Sequence, residues 1–243
     1  MPEVDRIAMP NATTGGLSAA ARLLGDPARA SIVLRLMGGV ALPAGELAAA
    51  ANIAPQTASG HLARLVEGHL LTVETQGRHR YYRLASSAVG DAVESLLVLA
   101  QDKRPRAETA DMRKAHAGSL EFARTCYAHL AGWVGVRIAE ALQERALIAA
   151  PDFRTYAITP SGRDWFGALG IALSAAPNSP SRFTRRCLDW TERRHHLAGP
   201  LGCALYRRFN ELEWVAPVRD SRAVRVTLKG KQNLWDLLRI PIQ

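Results

Sequence analysis

The stretch that most constrains this chain is residues 52–84, NIAPQTASGHLARLVEGHLLTVETQGRHRYYRL. Pro55 opens a helix there, since the first helical position has no use for an amide donor. Ile53, Ala58, Leu62 and Leu65 fall on one side at helical spacing, and Gln56, Thr57, Ser59, His61 and Arg64 fall on the other. Two β-prone runs follow, residues 70–74 and 79–84, joined across Gln76-Gly77 in a hairpin whose tip and return strand carry Arg78, Arg80 and Arg83. Short polar side chains with one arginine suit base edges and phosphates in a major groove, and a basic hairpin suits the neighbouring backbone or minor groove. The pattern predicts a winged helix-turn-helix. Its DNA-contacting residues are Gln56, Thr57, Ser59, Gly60, His61, Arg64, Arg78, His79 and Arg80, while Ala58, Leu62 and Leu65 pack inward.

The flanking sequence agrees. Residues 17–24 give a short helix, and Asp26-Pro27 starts the next with an acidic N-cap and proline at the first position; Gly38-Gly39 ends it. Residues 44–51 form the first helix of the DNA-reading pair, and residues 86–101 form a helix with a broad apolar side of Val89, Val93, Leu96, Leu97 and Leu99. Through LLGDPARASIVLRLM (23–37), ELAAAANIAPQTASGHLARL (46–65) and GRHRYYRL (77–84), the first hundred or so residues resemble the ArsR/SmtB family of bacterial winged-helix regulators. The resemblance implies a homodimer that pairs through the helix after the wing, reads a palindromic operator in double-stranded DNA, and represses until an effector releases it.

Family regulators often hold soft metals through cysteine on the helix before the recognition helix, or harder ones through Asp and His on the last dimer helix. This sequence departs from both patterns. Residues 46–51 read ELAAAA without a thiol, and the last helix offers Asp91 and Glu94 without a histidine.

No apolar run is long enough to span a bilayer and the N-terminus lacks the signal-peptide succession, so the expected location is the cytoplasm, associated with the nucleoid and not with a membrane. Net charge is +9, yet residues 1–104 carry 10 Lys and Arg against 9 Asp and Glu, leaving 21 against 13 in the remainder. The basic excess therefore lies outside the DNA-reading part: it grips flanking phosphate, faces an anionic effector, or solvates helix faces.

Residues 1–16 read as a flexible arm and 17–103 as the DNA-binding and dimerisation domain. Residues 104–118 read as a linker and helix start, within a helical pattern over 107–130, and 119–243 as a sensing or assembly domain. The last contains an internal repeat. His129-Leu-Ala-Gly132 recurs as His196-Leu-Ala-Gly199, and Thr159-Pro-Ser-Gly162 as Thr227-Leu-Lys-Gly230. Each copy has a helix, a hairpin and a closing helix bearing Trp165 or Trp235. The fold class is mainly α with small β-hairpins (α+β), a winged helix-turn-helix followed by two degenerate winged-helix-like repeats.

Candidate effector sites are confined to the second half. Three cysteines are too few for a disulfide framework. Cys126 and His129, three residues apart on one side of a helix, could make a tetrahedral soft site with Cys187 and His196, but without a C-x-x-C pair, and with Cys126 on an apolar helical row, Cys126 reads first as a core thiol. Cys203 also reads as filler. Cys187 sits among arginines that would lower its pKa and is the better reactive thiol. All five tryptophans lie in this half, and Trp133, Trp165 and Trp190 with Cys187 could line a pocket for a small organic effector, a reading preferred here to a metal ion, with no cofactor assigned. The alternatives are a Cys/His metal- or redox-responsive regulator, a weakly specific architectural DNA-binding protein, and an enzyme using Cys187 or His195-His196. No phosphate loop, nucleophile elbow, carboxylate dyad or HExxH supports the last, so the reading is a regulator without catalytic activity.

Overall fold

The computed structural model describes residues 11–100, 118–173, 183–219 and 221–242. It divides into two compact units, Met1–Val89 and Gly90–Gln243. No helix among the described residues is long and apolar enough to cross a membrane.

The first unit contains α1 (Asn11–Leu24), α2 (Pro27–Leu36), β1 (Leu42–Pro43), α3 (Ala44–Ala50), α4 (Pro55–Glu67), β2 (Leu71–Gln76) and β3 (His79–Leu84). Helix α1 begins inside the stretch expected to be a loose arm, so that expectation fails for residues 11–16, while 1–10 lie outside the described residues. The Asp-Pro-x-Arg sequence has a local cause. Asp26 caps α2 by accepting from the Arg29 amide at 2.9 Å, and Arg29 folds back to donate from Nε to Leu23 O and from Nη2 to Arg22 O, satisfying carbonyls at the end of α1. Strand β3 lies between β1 and β2, with Leu71 opposite Leu84 and Gln76 opposite His79. Gly77 turns the hairpin at φ 59°, a conformation glycine adopts without steric penalty. The core of this unit is Ile32, Val33, Leu36, Met37, Leu47, Ala58, Leu62, Leu65 and Leu71. Helix α5 (Ser87–Ala100) follows, and its residues from Gly90 onward group with the second unit.

The second unit repeats one element order. The first copy is β4 (Arg124–Cys126), β5 (His129–Ala131), α6 (Gly132–Glu144), β6 (Ile148–Ala149), β7 (Ala157–Ile158) and α7 (Pro160–Ala168). The second is β8 (Arg185–Leu188), β9 (His195–Ala198), α8 (Gly199–Glu211), β10 (Val215–Pro217), β11 (Val224–Val226) and α9 (Leu228–Leu238). The repeated motifs mark joints. Gly132 and Gly199 take φ of 76° and 75° where a strand turns into a helix. Thr159 and Thr227 cap the closing helices, each accepting from the amide three residues on at 2.9 Å. The glycines there are tight by necessity: a Cβ on Gly162 would sit 1.9 Å from Leu147 O, and one on Gly230 1.9 Å from Trp214 O.

The expected helix over 107–130 is not found in its described part. Residues 124–131 form the β4–β5 hairpin, and 101–117 lie outside the described residues. Nearly every position over 122–142 is buried, so no exposed face existed to set a period, and the apolar spacing that suggested a helix carried no orientation.

The copies are joined reciprocally. Strand β4 reaches the second hairpin of the other copy, with Thr125 N donating to Arg222 O and Val224 N to Ala123 O, both 2.8 Å. Strand β8 does the same in return, with Arg186 N donating to Arg154 O at 2.8 Å. One apolar core, from Phe122 through Ile138, Phe166, Leu201 and Phe209 to Ile240, runs through both copies.

Candidate DNA-reading surface and Cys/His cluster

On α4 the buried residues are Ala58, Leu62 and Leu65, and Gln56, Thr57, Ser59, Gly60 and Arg64 are exposed. Gly60 has nothing within 4 Å of where a Cβ would stand, leaving bare backbone on the outer side. Arg78, His79 and Arg80 are exposed at the wing tip, whereas Arg83 turns across the hairpin to Thr72 Oγ1 at 3.4 Å. His61 is placed differently from its neighbours: it is part-buried, with Nδ1 3.6 Å from Asp26 Oδ1 and 3.5 Å from Arg29 Nη1. It ties α4 to the α2 cap.

The second site lies at the centre of the second unit. The ligand atoms of Cys126, His129, Cys187 and His196 all fall within 4.8 Å of one another, and all four residues are buried. The sulfurs are 3.9 Å apart and the two Nε2 atoms 3.1 Å apart. Within each copy the cysteine and histidine face each other across a hairpin, Cys126 opposite His129 on β4 and β5, and Cys187 opposite His196 on β8 and β9. Cys126 and His129 thus occupy paired strands, not one side of a helix. Gly135 on α6 and Gly202 on α8 make room for the partner copy's imidazole, a Cβ on the first lying 3.7 Å from His196 Cβ and one on the second 3.3 Å from His129 Cβ.

A family model described as a helix-turn-helix domain matches residues 24–74. The uncharacterized HTH-type transcriptional regulator YdfF of Bacillus subtilis (strain 168) is 47% identical over 210 residues, covering 86% of this chain and 91% of that protein. The chain belongs to the HTH-type transcriptional regulators. Since neither unit reaches 210 residues, the likeness to YdfF takes in both of them. The regulator CmtR of Mycobacterium bovis is 36% identical over 93 residues, 37% of this chain and 78% of that protein. Among solved structures, the homodimeric winged helix-turn-helix domain of Mb0332 from Mycobacterium bovis is 24% identical with a TM-score of 0.37, over 44% of this chain and 96% of that one.

In this regulator the Cys/His cluster has its own polar surroundings. Asp189 and Arg124, both with fully buried side chains, pair at 2.9 Å. Asp189 Oδ2 also accepts the Gly132 amide at 2.7 Å and faces His196 Nδ1 at 3.5 Å, and Oδ1 accepts from Thr191 and from the Glu192 amide. Burial alone would raise the Asp189 pKa, but Arg124, His196 and these donors hold it below the usual carboxylate range. His196 Nδ1 makes no hydrogen bond of normal geometry, which leaves that carboxylate as the group it faces. The contact between the sulfurs splits the two thiols: Cys187 is lowered, chiefly by its hydrogen bond with Cys126 and against the effect of burial, with His196 and His129 aiding, and Cys126 is raised by the same contact and by burial. The arginines near Cys187 in sequence are not what lowers it. Burial lowers His129; for His196 burial acts the same way, but the Cys187 thiolate and Asp189 outweigh it and raise that imidazole.

Of the residues expected to line an effector pocket, Trp133 is buried and stacked on Phe122, and Trp165 packs edge-on against Phe166 at the margin of the core. Trp190 lies with its ring 4.6 Å from the Arg124 guanidinium, and Cys187 is in the cluster. The cavity between α6 and α8, lined by Leu130, Gly135, Leu197 and Gly202 among others, measures about 10 Å³, no more than a single water needs. Arg124 and Asp189 escaped the sequence reading altogether. A cysteine shortly before each His-Leu-Ala-Gly was the available signal, obscured because the first copy spaces the pair by two residues and the second by eight.

Proposed function

We propose that the chain is a homodimeric repressor that reads a palindromic operator with α4 in the major groove and the β2–β3 wing on the adjoining backbone, and that an effector held by the second unit sets its affinity. The observation that carries the reading is the exposed row Gln56, Thr57, Ser59, Gly60 and Arg64, continued by Arg78, His79 and Arg80 and backed by the buried Ala58, Leu62 and Leu65. Such a face offers amide, hydroxyl and guanidinium groups to base edges and positive charge to phosphate. The Arg-rich second unit gives weaker support for a phosphate grip, because its cations are partly consumed internally. Arg124 and Arg222 are buried in ion pairs, Arg137 pairs with Glu140, and Arg208 donates to Leu169 O and pairs with Glu211. The test is binding of the purified protein, at fixed salt, to duplex from its own promoter region and to scrambled duplex. A specific complex with two chains per site supports the proposal. Equal binding to both duplexes would replace it with the architectural reading.

A further inference from the structure

The Cys126, His129, Cys187 and His196 cluster takes no part in the DNA-reading face, and its geometry asks for an occupant. Four-coordinate zinc, with bonds of about 2.3 Å to sulfur and about 2.0–2.1 Å to nitrogen, sets tetrahedral edges of about 3.8 Å between two sulfurs and about 3.3 Å between two nitrogens. The observed separations are 3.9 Å and 3.1 Å. The outer partner also fits: a proton on His196 Nδ1 directed at Asp189 leaves the Nε2 lone pair turned into the cluster, the usual arrangement of a carboxylate, a histidine and a metal. Charge closes as well. Two thiolates and a divalent cation sum to zero, and so do Arg124 and Asp189, so the loaded core carries no net charge.

Two blander explanations account for less. Thiols acting as apolar filler would not need two imidazoles turned onto them, and a disulfide between Cys126 and Cys187 would use the sulfurs alone. The equivalence of the two donors is further support, because each repeat supplies one cysteine and one histidine from the same cross-strand pairing, and each repeat's helix carries a glycine where the other's imidazole lies. We propose that Cys126, His129, Cys187 and His196 bind one zinc-class d10 cation per chain in tetrahedral geometry, fastening the two repeats together.

The site has a route to α5. Arg185 on β8 donates to Asp91 at 2.6 Å. On β4, Thr125 N donates to Arg222 O, and Arg222 Nη1 donates to Glu94 at 2.9 Å. Both cysteine-bearing strands are thus tied to the helix that starts three residues after the wing strand ends. The metal site itself stands independently of the repressor reading, whereas its use as the effector input rests on that reading.

The experiment uses the full chain, reduced, stripped with a chelator and titrated anaerobically with Co²⁺ and then Zn²⁺. One equivalent of Co²⁺ is expected to give the intense visible bands of tetrahedral thiolate coordination, and one equivalent of Zn²⁺ to bleach them. The same equivalent of Zn²⁺ should protect two of the three thiols from a thiol reagent, a readout that needs no variant. Cys203→Ser, outside the cluster, should keep the bands, and Cys187→Ser and His196→Asn should lose them. Weak bands of octahedral type, three reactive thiols with zinc present, or a Cys126–Cys187 disulfide persisting in reductant would each overturn the proposal. Operator affinity is then compared for loaded and stripped protein. A difference of fivefold or more supports the input role; equal affinity overturns that role alone, and failure of both forms to bind any operator counts against the regulator reading and not against the metal site.

Discussion

His129 and His196 meet through their Nε2 atoms at 3.1 Å, although 67 residues separate them in the chain. Each comes from the same position of a repeated His-Leu-Ala-Gly, and each lies against a glycine of the other copy's helix. The contact is therefore a property of the paired repeats, and neither copy could make it alone.

That dependence makes the glycines a sensitive test. A methyl on Gly202 would stand 2.3 Å from Leu197 O and 3.3 Å from His129 Cβ, and backbone cannot yield as a flexible side chain can. Gly202→Ala should destabilise the second unit by about 1–3 kcal/mol, read as a lower denaturant midpoint. Gly60→Ala, in the interior of α4 where the added methyl meets nothing, should instead raise stability by about 0.5–1 kcal/mol through helix propensity.

The buried ion pairs should respond asymmetrically to truncation. Arg124→Met leaves Asp189 charged in the core and should destabilise by about 3–5 kcal/mol. Arg124→Met combined with Asp189→Leu should recover part of that loss, since the stranded charge is gone. Chemical denaturation of the two variants checks both values, and a double variant no better than the single one would count against a charge-based account.

Caps on the closing helices offer a milder test. Thr159 and Thr227 each accept an amide at 2.9 Å and donate to a carbonyl before the preceding hairpin, Ala146 O and Glu213 O. Thr159→Ala and Thr227→Ala should each lower stability by about 1 kcal/mol, and by similar amounts if the copies are equivalent. Thermal unfolding of both variants measures this.

Metal should stabilise the folded chain by mass action. Zinc at a hundred times its dissociation constant adds about 2.7 kcal/mol to a protein that binds it only when folded. The stripped chain should therefore unfold at a lower temperature than the loaded one in calorimetry, and the difference should vanish in Cys187→Ser.

On the DNA side, Arg64 and Arg78 should separate. Arg64→Ala, on the outer side of α4, should weaken operator binding by about 1–3 kcal/mol and relax sequence preference. Arg78→Ala, at the wing tip, should weaken binding to all duplexes alike and reduce the salt slope by about one. Binding measured against salt for both variants decides, and no change in either would sink the groove assignment.

The sequence by itself determined α2, α3, α4 and the β2–β3 hairpin to within a few residues, but neither the start of α1 nor the short β1. Its signals are local: Asp26 and Pro27 at a helix start, an apolar stripe through Ala58, Leu62 and Leu65, and Gly77 at a hairpin turn all act on neighbours a few residues away. The repeat was legible for the same reason, since Thr159 with Gly162 and Thr227 with Gly230 are capping pairs three residues apart. The four Cys/His residues were legible as candidate ligands, but their convergence was not. Residues 122–142 are buried almost without interruption, which removes the polar face a period is read from, and a cysteine on such a stretch looks like filler. Only the tertiary structure decided that Cys126 lies beside Cys187 and His129 beside His196, and that Asp189 pairs with Arg124. Those relationships arise where the hairpins of two distant repeats cross, and pairing across such a distance follows from how the surfaces fit together and leaves no spacing in the sequence.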